Sequence, residues 1–72
     1  MANIEIPSDQ AVVDALAELG GRATAVRLCH ALVVAGHPIR QSQLAIQRAA
    51  ERGRIEINSD WSLSVAKEVL AA

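Results

Sequence analysis

The hydrophobic pattern of the chain changes its period at Gly53, and this change limits the folds that the chain can adopt. Before Gly53 apolar residues recur at intervals of three and four, which is typical of helices that bury one face. After Gly53 the segments RIEI and WSLSV alternate polar and apolar residues around the turn-forming sequence NSD. We therefore predict that a β-hairpin, pairing residues near 54–57 with residues near 61–65, follows a helical segment.

Glycine and proline interrupt the helical segment and divide it into three helices. The first is predicted to follow an N-cap at Ser8 and to end at Gly20, and the second to follow Thr24 and to end at Gly36. Ser and Thr favour such positions because their hydroxyls accept hydrogen bonds from amides of the first turn. Glycine favours the ends because it adopts the left-handed conformation there.

The third helix is predicted to begin between Ile39 and Ser42 and to end at Gly53. His37-Pro38 precedes it, and a residue before proline avoids helical backbone angles. Ser42 either caps this helix or lies in its first turn. Its inward stripe consists of small and medium apolar residues, namely Ala45, Ile46, Ala49 and Ala50.

The apolar content of the chain is high, yet it provides few large side chains for a core. Apolar residues make up 51% of the 72 residues, but Phe and Tyr are absent and Trp61 is the one aromatic residue. Trp61 is therefore expected to plug the core beneath the hairpin, the alternative being that it stands out to meet a groove or a partner. A homodimer, formed through the N-terminal segment, the first helix or the C-terminal tail, would compensate for a thin core.

One small domain, residues 8–66, is predicted between an N-terminal lead-in, residues 1–7, and residues 67–72, a tail or short helix. The sequence shows no signal-peptide pattern, and its longest apolar stretch is too short for a membrane span. With a single cysteine, the chain is expected to be a reduced, cytoplasmic protein.

Positive charge is concentrated in the middle of a chain whose formal net charge is −1. Residues 22–54 contain all six arginines against the single carboxylate of Glu51, a net charge of +5. The segments on either side are acidic. Such segregation indicates a partner that carries negative charge more strongly than the total charge suggests.

The order of three helices and a hairpin, with AERGRIEI running from the third helix into the first strand, resembles the winged helix-turn-helix superfamily. The resemblance covers residues 9–66 and implies a mainly α fold with a small antiparallel hairpin (α+β). One departure is the segment VVAGHPIR, which is longer than the tight turn of the simplest helix-turn-helix proteins. The resemblance implies that the third helix enters the major groove of DNA while the hairpin, or wing, contacts the backbone or the minor groove.

Polar residues of the third helix, over about residues 40–52, suit contact with DNA. Gln pairs with adenine and Arg with guanine through two hydrogen bonds, and Ser binds either bases or phosphate. Arg40 at the start of the helix and Arg54 at the foot of the wing, residues 54–65, are placed to bind phosphates. The candidates in the helix are Arg40, Gln41, Ser42, Gln43, Gln47 and Arg48.

Arg22 and Arg27 flank the start of the second helix, where helix-turn-helix proteins often contact phosphate. Alternatively, these arginines pair with the nearby Glu18 or Asp14. The sequence thus predicts a small protein that binds double-stranded DNA, as a transcriptional regulator or an accessory factor. The alternative function is a winged-helix module that docks another protein and does not bind DNA.

No set of residues predicts catalysis or a bound cofactor. Cys29 is expected to face the core, and the next residue, His30, points about 100° away on the same helix. His37 adds only a dispersed third group, which makes a poor zinc site. Neither a phosphate-binding glycine motif nor a pair of catalytic carboxylates is present. We therefore expect no enzymatic activity, no metal, no cofactor and no small-molecule substrate.

Overall fold

The computed structural model describes residues 6–66 and contains three helices and one small antiparallel sheet, a mixed α+β fold. The elements follow in the order α1 (Asp9–Glu18), β1 (Arg22–Thr24), α2 (Ala25–Val34), α3 (Ile39–Glu51), β2 (Ile55–Ile57) and β3 (Ser62–Val65). The three predicted helices and the predicted hairpin are confirmed. The N-terminal lead-in up to residue 5 and the predicted tail or short helix, residues 67–72, lie outside the described residues.

Local side-chain chemistry explains where the helices begin. The hydroxyl oxygen of Ser8 accepts a hydrogen bond from the amide of Ala11 (3.1 Å), and that of Thr24 accepts one from the amide of Arg27 (3.2 Å). Both predicted N-caps are therefore confirmed. Helix α3 begins after Pro38 without a side-chain cap.

All three helices end in the same way, and Gly53 after α3 illustrates why. Its amide donates to the carbonyl of Ala50 (3.1 Å), and the amide of Arg54 donates to the carbonyl of Ala49 (2.9 Å). This pair of bonds requires a left-handed residue, and Gly53 has φ 74°. The tight ending turns the chain directly from α3 into the hairpin.

The sheet has three strands rather than the two that were predicted. Strand β3 lies in the centre, with β2 on one side and β1 on the other, both antiparallel to it. In the β1 pairing Ala23 faces Leu63, and both are buried. The extra strand therefore ties the link between α1 and α2 to the hairpin.

The core lies between the three helices and the inner face of the sheet. Its largest fully buried apolar residues are Val12, Leu16, Leu28, Leu32 and Ile55. Ala45 and Ala49 of α3 are also fully buried, and their small side chains allow close helix approach. The expectation that Trp61 plugs this core is wrong, because Trp61 is 80% exposed, and Leu63, Val65 and Ile55 cover the helices instead.

Within residues 6–66, no helix has both the length and the apolar composition that crossing a membrane requires.

Candidate functional site

Helix α3 has a buried side and a polar exposed side. Its buried residues are Ser42, Ala45, Ile46 and Ala49. Among the predicted DNA-contacting residues, Arg40, Gln43, Gln47 and Arg48 are exposed, and Gln41 is half-buried. Three of them, together with Leu44, line a depression of about 330 Å³ on the outer side of the helix. The exposed side therefore presents two arginines and two glutamines.

Ser42 does not belong to this exposed side, which corrects its prediction as a DNA-contacting residue. Its side chain is fully buried, and its hydroxyl donates a hydrogen bond to the carbonyl oxygen of Pro38 (2.9 Å). Ser42 thus lies in the first turn of α3 and satisfies its own hydroxyl within the helix. It cannot reach a base or a phosphate without leaving the core.

The six arginines differ in whether a carboxylate of the protein neutralises them. Arg22 pairs with Asp60 (3.0 Å), and Arg52 pairs with Asp9 (3.1 Å). Arg54 is half-buried and donates to the side-chain oxygen of Gln10 (3.3 Å). Of the two alternatives for Arg22, pairing with a carboxylate is the observed one, but the partner is Asp60 rather than Glu18 or Asp14.

Three arginines remain available to a partner. Arg27, Arg40 and Arg48 are exposed, and no carboxylate within residues 6–66 forms an ion pair with them. Two of the three lie on α3 and one lies in the first turn of α2. The exposed, uncompensated charge of the basic segment therefore consists of these three arginines, while Arg54, which also has no carboxylate partner within residues 6–66, is half-buried.

The two exposed glutamines of α3 differ in their side-chain hydrogen bonds. The side-chain amide of Gln47 donates a hydrogen bond to Glu51, four residues on (3.1 Å). Gln43 has no side-chain hydrogen bond to any residue in the described part of the chain. Since an exposed amide–carboxylate pair on one helix is weak, both side chains can rotate toward a ligand.

The turn of the hairpin is held by a polar network that the sequence did not predict. The Nε of Arg22 donates to the hydroxyl of Ser62 (2.8 Å), and that hydroxyl donates to Asp60 (2.6 Å). The side chain of Asn58 donates to the hydroxyls of Ser62 and Ser64 (3.2 Å each). This network joins β1 to the hairpin and fixes the path of residues 58–62.

Trp61 follows this turn in a conformation that bulky residues rarely adopt. Its φ is 67°, a left-handed value that glycine would accept without strain. Its amide donates to the carbonyl of Asn58 (2.9 Å), and the amide of Asn58 donates to the carbonyl of Ser62 (2.8 Å). These bonds close a turn that holds the indole out into solvent.

The network changes the acidity of Asp60. Hydrogen bonds from the hydroxyl and the amide of Ser62, helped by the charge of Arg22, lower the pKa of Asp60 to about 2. An unfolded aspartate has a pKa of about 3.9. The folded state therefore favours the ionised carboxylate, and its contribution to stability is present above about pH 4 and lost as the pH falls toward 2.

We expect this linkage to appear as a difference between the wild type and Asp60→Asn. The melting temperature of the wild type should fall more steeply between pH 4 and pH 2, because Ser62 and Arg22 lose an ionised partner only in that protein. Calorimetry across this pH window measures the difference. Parallel pH profiles for the two proteins would show that the ionised carboxylate of Asp60 contributes nothing to folding.

An apolar groove lies on the surface between α2 and α3. It has a volume of about 470 Å³, and its walls are formed by Ala25, Val26, Cys29, His30, Val33, Ile39, Gln43 and Ile46. Cys29 packs against the core, as expected, but it is only half-buried and also lines this groove. Across the described residues, His, Cys, Asp and Glu side chains form no group of three that could hold a metal ion.

Comparisons with known proteins found no match to this chain. The chain matches no protein-family model, and neither the curated proteins nor the solved structures contain a match.

Proposed function

We propose that the chain is a winged-helix protein that binds double-stranded DNA, with α3 in the major groove. The observation that carries the proposal is the distribution of paired and unpaired arginines. Arg22 and Arg52 are neutralised within the protein, whereas Arg40 and Arg48 on the exposed side of α3 are not. Uncompensated arginines beside exposed glutamines are what contact with phosphates and base edges requires.

The order of elements supports the winged-helix assignment. A hairpin follows the third helix, and its inner face packs on the helical core while the polar side of α3 stays exposed. Arg27, in the first turn of α2, is available as a further phosphate contact. Arg54 keeps its place in the proposal as a phosphate contact, but it would have to release Gln10 to make that contact.

The charges of the wing give less support to a backbone contact. The hairpin between Ile55 and Val65 contains two carboxylates, Glu56 and Asp60, and neither Lys nor Arg. Arg22, which lies beside it, is paired with Asp60. We therefore assign the phosphate contacts mainly to α3 and to Arg27. The exposed Trp61 favours the second candidate, a protein-docking module without DNA binding.

An NMR titration of the labelled protein with a random-sequence duplex separates these candidates. Amide and side-chain signals of residues 40–48 and of Arg27 should shift most, and the shifts should shrink as salt rises. Signals of α1 should move little. No salt-dependent shift, or shifts confined to the hairpin, would contradict the DNA-binding proposal and favour the docking module.

Recognition of a specific DNA sequence should depend on the glutamines of α3. On a duplex selected from a random pool, Gln43→Ala or Gln47→Ala should cost about 1–3 kcal/mol, and much less on random DNA. Gln10→Ala, on α1, serves as the control and should leave the ratio of the two affinities unchanged. Fluorescence anisotropy measures both affinities. Equal losses on selected and random DNA would mean that the glutamines do not read bases.

A further inference from the structure

The chain contains an exposed apolar knob and an apolar groove that could receive it. The knob is Trp61, 80% exposed at the end of the hairpin turn, and Ile57 on the other side of the turn is 58% exposed. The groove is the space of about 470 Å³ between α2 and α3. Pockets of about 300–1,000 Å³ hold drug-sized ligands, so this groove has room for an indole ring.

The backbone at Trp61 adopts an unusual conformation, with φ 67°. A left-handed conformation is strained for a bulky residue, and such outliers often mark binding sites. The hydrogen bonds of Asn58, Asp60 and Ser62 hold the turn in place before any partner arrives. A rigid aromatic side chain loses little conformational entropy on docking, which makes it an effective anchor.

The charges around the knob and the groove are complementary. Glu56 and Asp60 are the charged residues of the hairpin, and both are acidic, but Asp60 is paired with Arg22, so Glu56 is the carboxylate without an ion-pair partner within residues 6–66. Arg40 lies beside the groove, next to Ile39 in its wall and one turn before Gln43, and it has no carboxylate partner within residues 6–66. A wing that enters the groove would therefore bring the carboxylate of Glu56 toward an uncompensated arginine.

We propose that the occupant of the α2–α3 groove is the wing tip of a second copy of this chain, with Trp61 inserted between Val26 and Ile39. Two such contacts related by a two-fold axis bury both knobs and close a dimer. This contact replaces the dimer surfaces expected from the sequence and does not depend on DNA binding. It covers Gln43, which lines both the groove and the outer depression of α3.

Because Trp61 is the single aromatic residue, its fluorescence reports the contact directly. Without DNA, the emission of the wild-type protein should move to shorter wavelength as its concentration rises, and sedimentation should show association over the same range. Trp61→Asn, which retains a residue tolerant of left-handed angles, should remain folded and monomeric. A wild type that stays monomeric, with unchanged emission, up to about 1 mM would overturn the proposal.

Two valines on α2 provide matched variants of the groove. Val26 lines the groove and is 79% exposed, whereas Val34 lies outside it and is 73% exposed. Val26→Glu should weaken association at least tenfold, because it replaces an apolar wall of the groove with a carboxylate where the carboxylate of Glu56 would approach. Val34→Glu should associate like the wild type. Equal effects of the two variants would show that the groove is not the docking site.

A DNA titration of the same variants then tests the consequence for α3. If α3 also binds DNA as proposed above, Trp61→Asn should bind DNA at least as tightly as the wild type at high protein concentration, since Gln43 is no longer covered. A wild type that associates but does not bind DNA would contradict only the proposed function. A wild type that binds DNA but does not associate would contradict only the wing–groove contact.

Discussion

Replacing Arg40 and Arg48 together with alanine is expected to lower the affinity for random duplex DNA by about 60-fold at roughly 0.1 M salt. Each phosphate contact releases a counterion and contributes about 0.9 to the slope of log affinity against log salt. Both arginines are exposed without a carboxylate partner in the described part of the chain, so their full charge is available. Anisotropy measurements between about 50 and 200 mM salt should show a slope reduced by about 1.8.

Arg52 is the matched control for this prediction. Arg52 caps the end of α3 and lies four residues after Arg48, but Asp9 neutralises it through both carboxylate oxygens (3.1 Å each). Arg48→Ala and Arg52→Ala each remove one positive charge, so they change the net charge equally. Only Arg48→Ala should reduce the salt slope. Replacing Arg40 and Arg48 with lysine should preserve the slope, because a phosphate contact needs the charge and not the guanidinium shape.

Two outcomes would contradict the prediction for Arg40 and Arg48. If the double alanine variant keeps the wild-type affinity and slope, α3 does not contact phosphates. If Arg52→Ala has the same effect as Arg48→Ala, the response reflects net charge rather than a binding surface. Either outcome would contradict the proposed function, because that function is inferred from the unpaired arginines of α3.

The parts of the fold that were predicted correctly depend on neighbouring residues. Ser8 and Thr24 accept hydrogen bonds from amides three residues ahead. Gly53 adopts the left-handed conformation that ends a helix, and the residue type alone predicts it. The alternation after Gly53 likewise needs only a few residues to be recognised. Local chemistry therefore identified the helices and the hairpin before their packing was known.

The missed features depend on residues far apart in the sequence. Strand β1 has only three residues, and its partner β3 lies about 40 residues later, so no local pattern indicates it. The ion pair of Asp9 with Arg52 spans a similar distance. The concentration of arginines was visible in the sequence, but the pairing that neutralises two of them was not.

Two single residues were misplaced because their chemistry suggested the wrong environment. Ser42 is predicted to contact DNA because a serine hydroxyl can bind bases or phosphate, yet a bond to the carbonyl of Pro38 allows it to be fully buried. Trp61 was assigned to the core because it is large and apolar. The NSD turn before it, however, favours glycine at the next position, and that position points into solvent.

Leu28→Ala is expected to have the largest effect on folding, a loss of about 3–5 kcal/mol in the free energy of unfolding. Leu28 of α2 is fully buried in the cluster that contains Ala45 and Ala49 of α3. Small neighbours cannot fill the cavity left by the lost side chain, and Trp61 lies outside the core. Small domains have total stabilities of about 5–15 kcal/mol, so this variant should approach the limit of folding.

Leu44→Ala provides the comparison for this prediction, because Leu44 is an exposed leucine of α3 that is 42% accessible. Its loss should cost less than about 1 kcal/mol, since surface substitutions rarely cost more. Urea unfolding followed by circular dichroism should show a much lower midpoint for Leu28→Ala and nearly the wild-type midpoint for Leu44→Ala, with similar slopes. DNA binding should decline with the folded fraction of Leu28→Ala, because α3 presents its arginines only when α2 supports it. A small and equal effect of both substitutions would show that Leu28 does not hold α2 against α3.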